Sequence, residues 1–321
     1  MDEETIVVLG VQLLALCCII CSIVIYLLRK MNRKTVYATP AHRSVLITSC
    51  ETSVGLQLCD KLSSAGFRVF AGYKPMSETD DGTLSEACIS LRIKIKQRES
   101  TDMERAQCGI VFMRLDVTRE DSLHEAVDTI KRHLPAGEDG LWAVINTADV
   151  CLKGKIELQE SVQWEMLFKT NVFGSFKVAR TFYPLLISQR GRLINIGISE
   201  SHTHRHGMTA FDAARYAVVG ASKSLQQDLK ELSVRIIIIN TNHILPENLF
   251  EPVKSTRDAN KTNFNDQQIK QILPDYAIHT IFDALLEPNP KTVYNLEKPS
   301  NFINNRFFKF KTLKSEKILN F

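Results

Sequence analysis

The chain has no C-x-x-C pair, no zinc-like spacing of cysteine and histidine, and no proline- or glycine-rich linker. The first two absences leave a structural zinc site without a ligand set, so no metal is expected. Of eight cysteines in 321 residues, Cys17, Cys18 and Cys21 share one apolar stretch, and Cys50, Cys59, Cys88, Cys108 and Cys151 are scattered. That usage excludes a disulfide framework and fits a reducing compartment. With no linker and no internal repeat, the main body reads as one domain. Charge of one sign is also scarce. Forty basic against 36 acidic residues give a net +4, which makes no case for nucleic acid as a partner. Hydrophobic residues at 44% and charged residues at 24% exclude a largely disordered chain.

One long hydrophobic run is present. Ile6 to Leu28 is 23 residues without a charge, preceded by Asp2, Glu3 and Glu4 and followed by Arg29, Lys30, Arg33 and Lys34. It is long enough to cross a bilayer core of about 30 Å as a helix. A cleaved signal peptide has a basic start and a shorter core. The competing reading, a buried core helix, needs a polar face that the run lacks. The basic flank predicts a cytosolic domain on a single-pass membrane protein, with the endoplasmic reticulum the expected membrane. Cysteines 17 and 18 offer acylation sites, although cysteines in apolar helices commonly just pack.

Beyond Arg43, short β-branched runs alternate with longer amphipathic segments. The runs are 45–47, 68–71, 110–112, 142–145, 192–196 and 234–239, and the helical stretches lie near 53–65, 119–133, 159–188 and 208–231. Unbroken apolar strands between helices predict a parallel sheet covered on both faces, a doubly wound α/β sandwich. Residues 75–108 interrupt the rhythm with a long charged link, read as an insertion of which one helix takes about half. Expected boundaries are 1–34 for the anchor and its basic flank, 35–300 for the domain and 301–321 for a basic aromatic tail.

The motifs of the domain resemble the short-chain dehydrogenase/reductase family. VLITSCETSVG at 45–55 is similar to that family's first glycine turn, T-G-x-x-x-G-x-G. LDVT at 115–118 resembles its adenine-site Asp, GLWAVINTAD at 140–149 its G-L-W-x-x-x-N-N-A-G, and KTNVFG its active-site Asn at Asn171. GRLINI and YAVVGASKSLQQDL resemble the fifth strand and the helix after it. The Gly-Leu-Trp run and PKTVY near Pro290 are most similar to the branch acting on hydroxysteroids, retinol and 3-hydroxybutyrate, which includes insect steroid-hormone pathway members. The resemblance implies a Rossmann-type fold, NAD or NADP as cofactor, an apolar lipid-like ligand at a membrane, and room for a homodimer.

The same alignment places Phe211 at the family's catalytic Tyr, Arg215 at its Lys and Ile198 at its Ser, so that only Asn171 survives of the four. Phe has no ionisable group, and losing a positioned acid–base costs about 10²–10⁴-fold in rate. Arg215 keeps a charge that could reach ribose hydroxyls, with a fork in place of an ammonium. Ser199 and Tyr216 are weak substitutes: Ser199 points to the other face of a strand, and Tyr216 lies about 140° around the helix from Phe211.

The resemblance assigns the cofactor to Thr48, Ser49, Ser53, Gly55, Lys74, Asp116, Asn146 and Arg215. Ser49 and Ser53 stand where the family has turn glycines, and Asp149 where it has the glycine of N-N-A-G, so dinucleotide binding is expected to be weak or absent. No acidic residue ends the second strand at 72–73, while Lys74 there suits a 2′-phosphate. His202, His204 and His206 alternate in one loop without a carboxylate partner and are read as solvated. The tail mixes Phe307, Phe308 and Phe310 with five basic residues, which suits either a membrane surface or a frayed tail covering the domain edge. The expected function is a membrane-tethered protein of the family with degenerate catalysis. The alternative is an active NAD(P)-dependent oxidoreductase on a steroid- or retinoid-like alcohol or ketone.

Overall fold

The computed structural model describes residues 3–31, 38–40, 43–74, 86–101, 109–197, 204–241, 244–252 and 271–297, with backbone alone at 3–11, 27–31, 86–87 and 98–101. Ile198, Ser199, His202, Asn242 and the tail lie outside the described residues. The chain divides into two units, Met1–Ala38 and Thr39–Phe321.

In the first unit, helix α1 runs Glu3–Met31. Its described side chains, residues 12–26, are all exposed, with Leu13, Leu14 and Tyr26 more than 60% accessible. Among the described residues no helix is long and apolar enough to cross a membrane. The expected membrane-crossing helix is therefore not found there.

The second unit is built on a seven-stranded sheet in the order β3-β2-β1-β4-β5-β6-β7. The strands are β1 Ser44–Ile47, β2 Arg68–Tyr73, β3 Ile110–Arg114, β4 Ala143–Asn146, β5 Arg192–Gly197, β6 Arg235–Asn240 and β7 Val293–Asn295, and every pairing is parallel. β1, β4 and β5 are buried at every position, which is why they read as continuous apolar runs rather than alternating ones. The helices are α2 Ser53–Ser64, α3 Glu86–Thr101, α4 Glu120–His133, α5 Ser161–Phe168, α6 Ser175–Ser188, α7 Thr209–Asp228, α8 Pro246–Phe250 and α9 Asp275–Leu286.

One face of the sheet packs Leu46, Phe70, Val144, Leu193 and Ile236 against Leu123 and Ile130 of α4 and Val178 and Phe182 of α6. Half of the charged link is helix α3, which buries Cys88, Leu91 and Ile95 and exposes Arg92, Lys94 and Lys96, a solvated outer face as expected. The predicted 159–188 helix is broken in its middle. A π-helical turn, Lys169–Gly174, separates α5 from α6 and carries Asn171.

Strand order reverses between β1 and β4, the neighbours at the centre of the sheet. In open α/β sheets the carboxyl ends of strands flanking such a switch form the binding crevice. Here those ends deliver Thr48 and Ser49 after β1, Lys74 after β2, Asp116 after β3 and Asp149 after β4.

Candidate active site

These strand ends line a cleft of about 540 Å³, closed on other sides by Glu51, Thr52, Val150, Cys151, Met166 and Phe250. Gly55 is the one retained turn glycine, and it is needed. A Cβ there would stand 1.8 Å from the Ser49 carbonyl oxygen, so only glycine lets α2 start this close to the loop.

The α2 N-terminus is the place where a Rossmann fold offers backbone N–H groups to a pyrophosphate. In this chain those donors have internal partners. The Ser53 N–H and hydroxyl both donate to the Glu251 carbonyl, at 3.1 and 3.2 Å, and Thr52 pairs with Pro252 as an isolated antiparallel bridge. The Gly55 N–H donates to Thr52 Oγ1, and the Leu56 N–H to the Thr52 carbonyl. The Ser49 N–H donates to Thr147 Oγ1, which in turn donates to the Ser49 carbonyl. Ser49 and Ser53 are thus engaged by the protein itself, and Ser53 does not line the cleft.

At the other end the departures from the family pattern meet one another. Arg215 Nη2 lies 2.6 Å from Asp149 Oδ2, with the two side chains 4% and 6% exposed. Arg215 Nη1 also donates to the Ile196 carbonyl, and the guanidinium lies over the rings of Phe250 and Phe211, 4.5 and 5.2 Å from their centroids. Burial pushes the Asp149 carboxyl above its usual range, with Arg215 working against that. Phe211 is 1% exposed and packs on Phe250. Where the family motif would place a phenol and an ammonium, this chain has a ring and a neutralised guanidinium. Arg215 does not line the cleft, so its expected reach to a ribose is not seen.

Two other expectations change. Asn146 is directed to the protein interior: its Nδ2 donates to Asn195 Oδ1 at 2.6 Å, and Asn195 Nδ2 donates to Ser222 Oγ at 2.8 Å. It is part of a buried polar chain with Asn195 and Ser222. Asn171 is fully buried and holds one residue twice, accepting from the Val150 N–H and donating to the Val150 carbonyl, both at 2.9 Å. It positions the loop after strand β4.

Thr48 and Asp116 stand just beyond β1 and β3 and line the cleft. Thr48 Oγ1 accepts from the N–H groups of Thr147 and Ala148, tying β1 to β4 beneath the cleft. Asp116 Oδ1 accepts from the Thr118 N–H and hydroxyl, and Oδ2 pairs with Lys74 Nζ at 3.2 Å. Those bonds hold the Asp116 carboxyl below its usual range despite partial burial. Lys74 is therefore already neutralised, which weakens its expected preference for a 2′-phosphate.

Three features escaped the reading of the sequence. Glu51 reaches from the β1–α2 loop to the end of β2, where its Oε1 accepts from the Lys74 N–H at 3.0 Å. Burial pushes its carboxyl up to about 7, only partly offset by that bond, by Ser49 and by the Lys74 charge. Cys50 and Cys88, 38 residues apart, bring their sulfurs to 3.3 Å, and burial pushes the Cys50 thiol up. His204 does have a carboxylate partner, with Nδ1 3.1 Å from Asp212 Oδ2, and its ring lies 6.0 Å from that of Tyr216. Tyr216 itself packs with Val219 and Ile238, away from the cleft as expected. No group of three metal-ligating side chains occurs among the described residues.

The fit to a dinucleotide is divided. The β2–β3 end offers carboxylates to a sugar and base. The α2 N-terminus is covered, and the β4 end is filled by the Asp149–Arg215 pair. The cleft's charged lining is Glu51, Asp116, Asp149, Glu247 and Glu251 against Lys74. Glu247 is taken up by Arg205, whose Nη1 and Nη2 donate to its two oxygens at 3.0 and 2.9 Å. The remaining excess is acidic and disfavours a pyrophosphate.

A doubly wound sheet with its crevice at this switch point defines a Rossmann-type domain. Residues 43–256 match the family model described as short chain dehydrogenase, and the chain belongs to that family. Among curated relatives, it is 24% identical over 220 residues to mouse mitochondrial D-beta-hydroxybutyrate dehydrogenase, a match covering 68% of this chain and 60% of that protein. It is 25% identical to mouse retinol dehydrogenase 7, covering 80% and 77%, and 25% identical to rat 17-beta-hydroxysteroid dehydrogenase type 6, covering 78% and 74%. The chain thus spans about 60% of the length of the hydroxybutyrate dehydrogenases it matches. A metagenomic short-chain oxidoreductase solved with NADP shares the fold, with a TM-score of 0.53 at 18% identity, covering 64% of this chain and 85% of that one.

Proposed function

We propose that this protein is a membrane-tethered short-chain dehydrogenase/reductase-like protein of steroid- or retinoid-type lipid metabolism that binds an apolar ligand without the family's hydride transfer. One observation carries the reading. Phe211 and Arg215 stand at the proton-handling positions, and Arg215 is neutralised by Asp149 at 2.6 Å. Neither residue can give a proton to, or take one from, a substrate oxygen. The rate cost of losing such a group is about 10²–10⁴-fold.

The ligand class is supported by the names of the retinol and hydroxysteroid dehydrogenases among the relatives. The tether is supported by the 23 uncharged residues from Ile6 to Leu28 and by the helical backbone over Glu3–Met31. The basic flank puts the domain in the cytosol.

The test is an assay of the full chain in detergent over a panel of steroids and retinoids, with NAD and with NADP. Turnover near 1 s⁻¹, at the low end of the ordinary enzyme range of about 1–10³ s⁻¹, would overturn the proposal. Glycosylation at the sequon Asn260-Lys261-Thr262 in cells would place the domain in the lumen. A second reading, active catalysis with rearranged groups, is favoured by the contact of His204 with Asp212. Loss of turnover in His204→Ala would identify that route.

A further inference from the structure

Helix α8 is five residues, Pro246–Phe250, little more than one turn. So short a helix does not hold its place unaided, and what its two ends grip sets its position. At one end Glu247 takes both terminal nitrogens of Arg205, at 3.0 and 2.9 Å, with Lys153 Nζ 3.5 Å away. At the other the Glu251 carbonyl accepts from the Ser53 N–H and hydroxyl, and Pro252 bridges Thr52. Between them Phe250 is buried against the Arg215 guanidinium. One turn along α2, Gln57 holds Ile272 and Leu273 through three bonds of 2.8 to 3.0 Å. That second grip does not involve α8, so α8 can lift while α2 stays fixed to the domain.

What α8 brings to the cleft works against an anion. The Glu251 carbonyl takes the Ser53 donors, and Glu247 and Glu251 add two carboxylates to the lining. Lifting α8 reverses both effects. Ser53 loses its internal acceptor, two acidic residues leave the wall, and Arg205 and Lys153 lose the carboxylate that neutralises them. The pair that holds α8 is also of the kind that opens. Arg205 and Glu247 are 29% and 28% exposed, so water can replace their bonds, whereas Arg215 and Asp149 are 4% and 6% exposed.

We propose that α8 is an autoinhibitory latch, bolted by the Arg205–Glu247 pair, which bars phosphate-bearing ligands from the cleft by setting the Glu251 carbonyl on Ser53. This deepens the reading of the domain as a binding protein and rests on it, since the latch decides when the cleft admits a ligand. Opening it leaves Phe211 and Arg215 as they are and restores no proton transfer. Arg205 is thereby a positioning residue that governs a contact at Ser53 through the length of α8.

The experiment combines amide hydrogen exchange with NADH fluorescence titration of the full chain in detergent. Arg205→Gln removes the bolt. It is expected to speed exchange at least tenfold both in α8 and at the Ser53 amide, and to tighten NADH binding at least tenfold. Ser53→Pro releases the opposite end. Proline is tolerated at the first helical position, and Thr52 before it is already extended, at φ −75° and ψ 151°. That variant should speed exchange in α8 to a similar extent. In the unaltered protein, saturating NADH should itself speed exchange in α8. Unchanged exchange at Ser53 in Arg205→Gln would show that the two ends do not act as one strap. Faster exchange with unchanged NADH affinity, or no NADH binding by any of the three proteins, would show that α8 bars nothing. Each of these results overturns the latch. Steroid or retinoid turnover by Arg205→Gln would sink the non-catalytic reading and leave the latch standing.

Discussion

Asp149 and Arg215 form a buried ion pair at 2.6 Å, and each occupies a position where the family pattern calls for a different residue. An Arg without Asp149 would leave a charge under Phe250 and Phe211, and an Asp without Arg215 would leave an uncompensated carboxylate. The two departures are explained together and neither is explained alone.

Breaking this pair should therefore cost more than removing it. Asp149→Ala or Arg215→Met is expected to destabilise by about 3–5 kcal/mol, the usual penalty for stranding one buried charge. The double change Asp149→Ala with Arg215→Met should cost clearly less than the sum of the singles. Urea unfolding of the four proteins measures this, and additive losses would show that the pair is not coupled.

Reinstating catalysis needs one change more than the motif comparison suggests. Phe211→Tyr, Arg215→Lys and Ile198→Ser restore the acid–base residues. With Asp149 in place, however, the new lysine is drawn into the same ion pair. Adding Asp149→Gly should free it, so the quadruple variant is expected to exceed the triple at least tenfold in alcohol oxidation followed by NADH absorbance. Equal rates would show that Asp149 does not restrain position 215. Residues acting as one unit give little singly.

Glu51 sets a pH dependence of stability. Its carboxyl, ordinarily at 4.5, is pushed up to about 7 by burial. The folded protein then keeps a proton that the unfolded chain releases, so stability from this group is full below pH 4.5 and is lost as pH rises to about 7. The shift is worth about 3 kcal/mol in all. The groups facing it are Lys74 at the end of β2, Ser49 on the same loop, and the thiols of Cys50 on the loop and Cys59 on α2. None of those thiols ionises in this range. Glu51→Gln should melt above the unaltered protein at pH 8 and level with it at pH 5. A constant difference at both values would contradict the assignment.

Asn171 should matter for stability rather than for chemistry. Asn171→Ala leaves the Val150 N–H and carbonyl without partners in the interior, at about 1–3 kcal/mol for the unsatisfied groups. For a domain of this size that lowers the melting temperature by roughly 2–4 °C per kcal/mol. Ligand affinity measured well below the melting point should stay within about threefold. A loss of binding without a loss of stability would return Asn171 to the ligand contacts.

Much of the fold is legible in the residues. Six of the seven strands and the helices at 53–65, 119–133 and 208–231 follow from buried β-branched runs alternating with amphipathic stretches. β7 is three residues with one buried side chain, too short to carry a period. The π turn at Lys169–Gly174 has no periodic signature of its own, and the bond pair from Asn171 to Val150 joins residues 21 apart in the chain.

Local patterning determined the parallel sheet, the apolar N-terminal run and the identity of each departure at positions 49, 53, 149, 211 and 215. Those properties depend on near neighbours along the chain. Only the tertiary structure decided what the departures do. Asp149 meets Arg215, Glu251 covers Ser53, and Glu51 takes the missing acidic place beside Lys74, in each case through a contact between segments far apart in the sequence. A sheet that brings its strand ends to one edge sets charges side by side that no spacing rule connects, and the energy of a buried charge depends on that neighbour rather than on the residue alone.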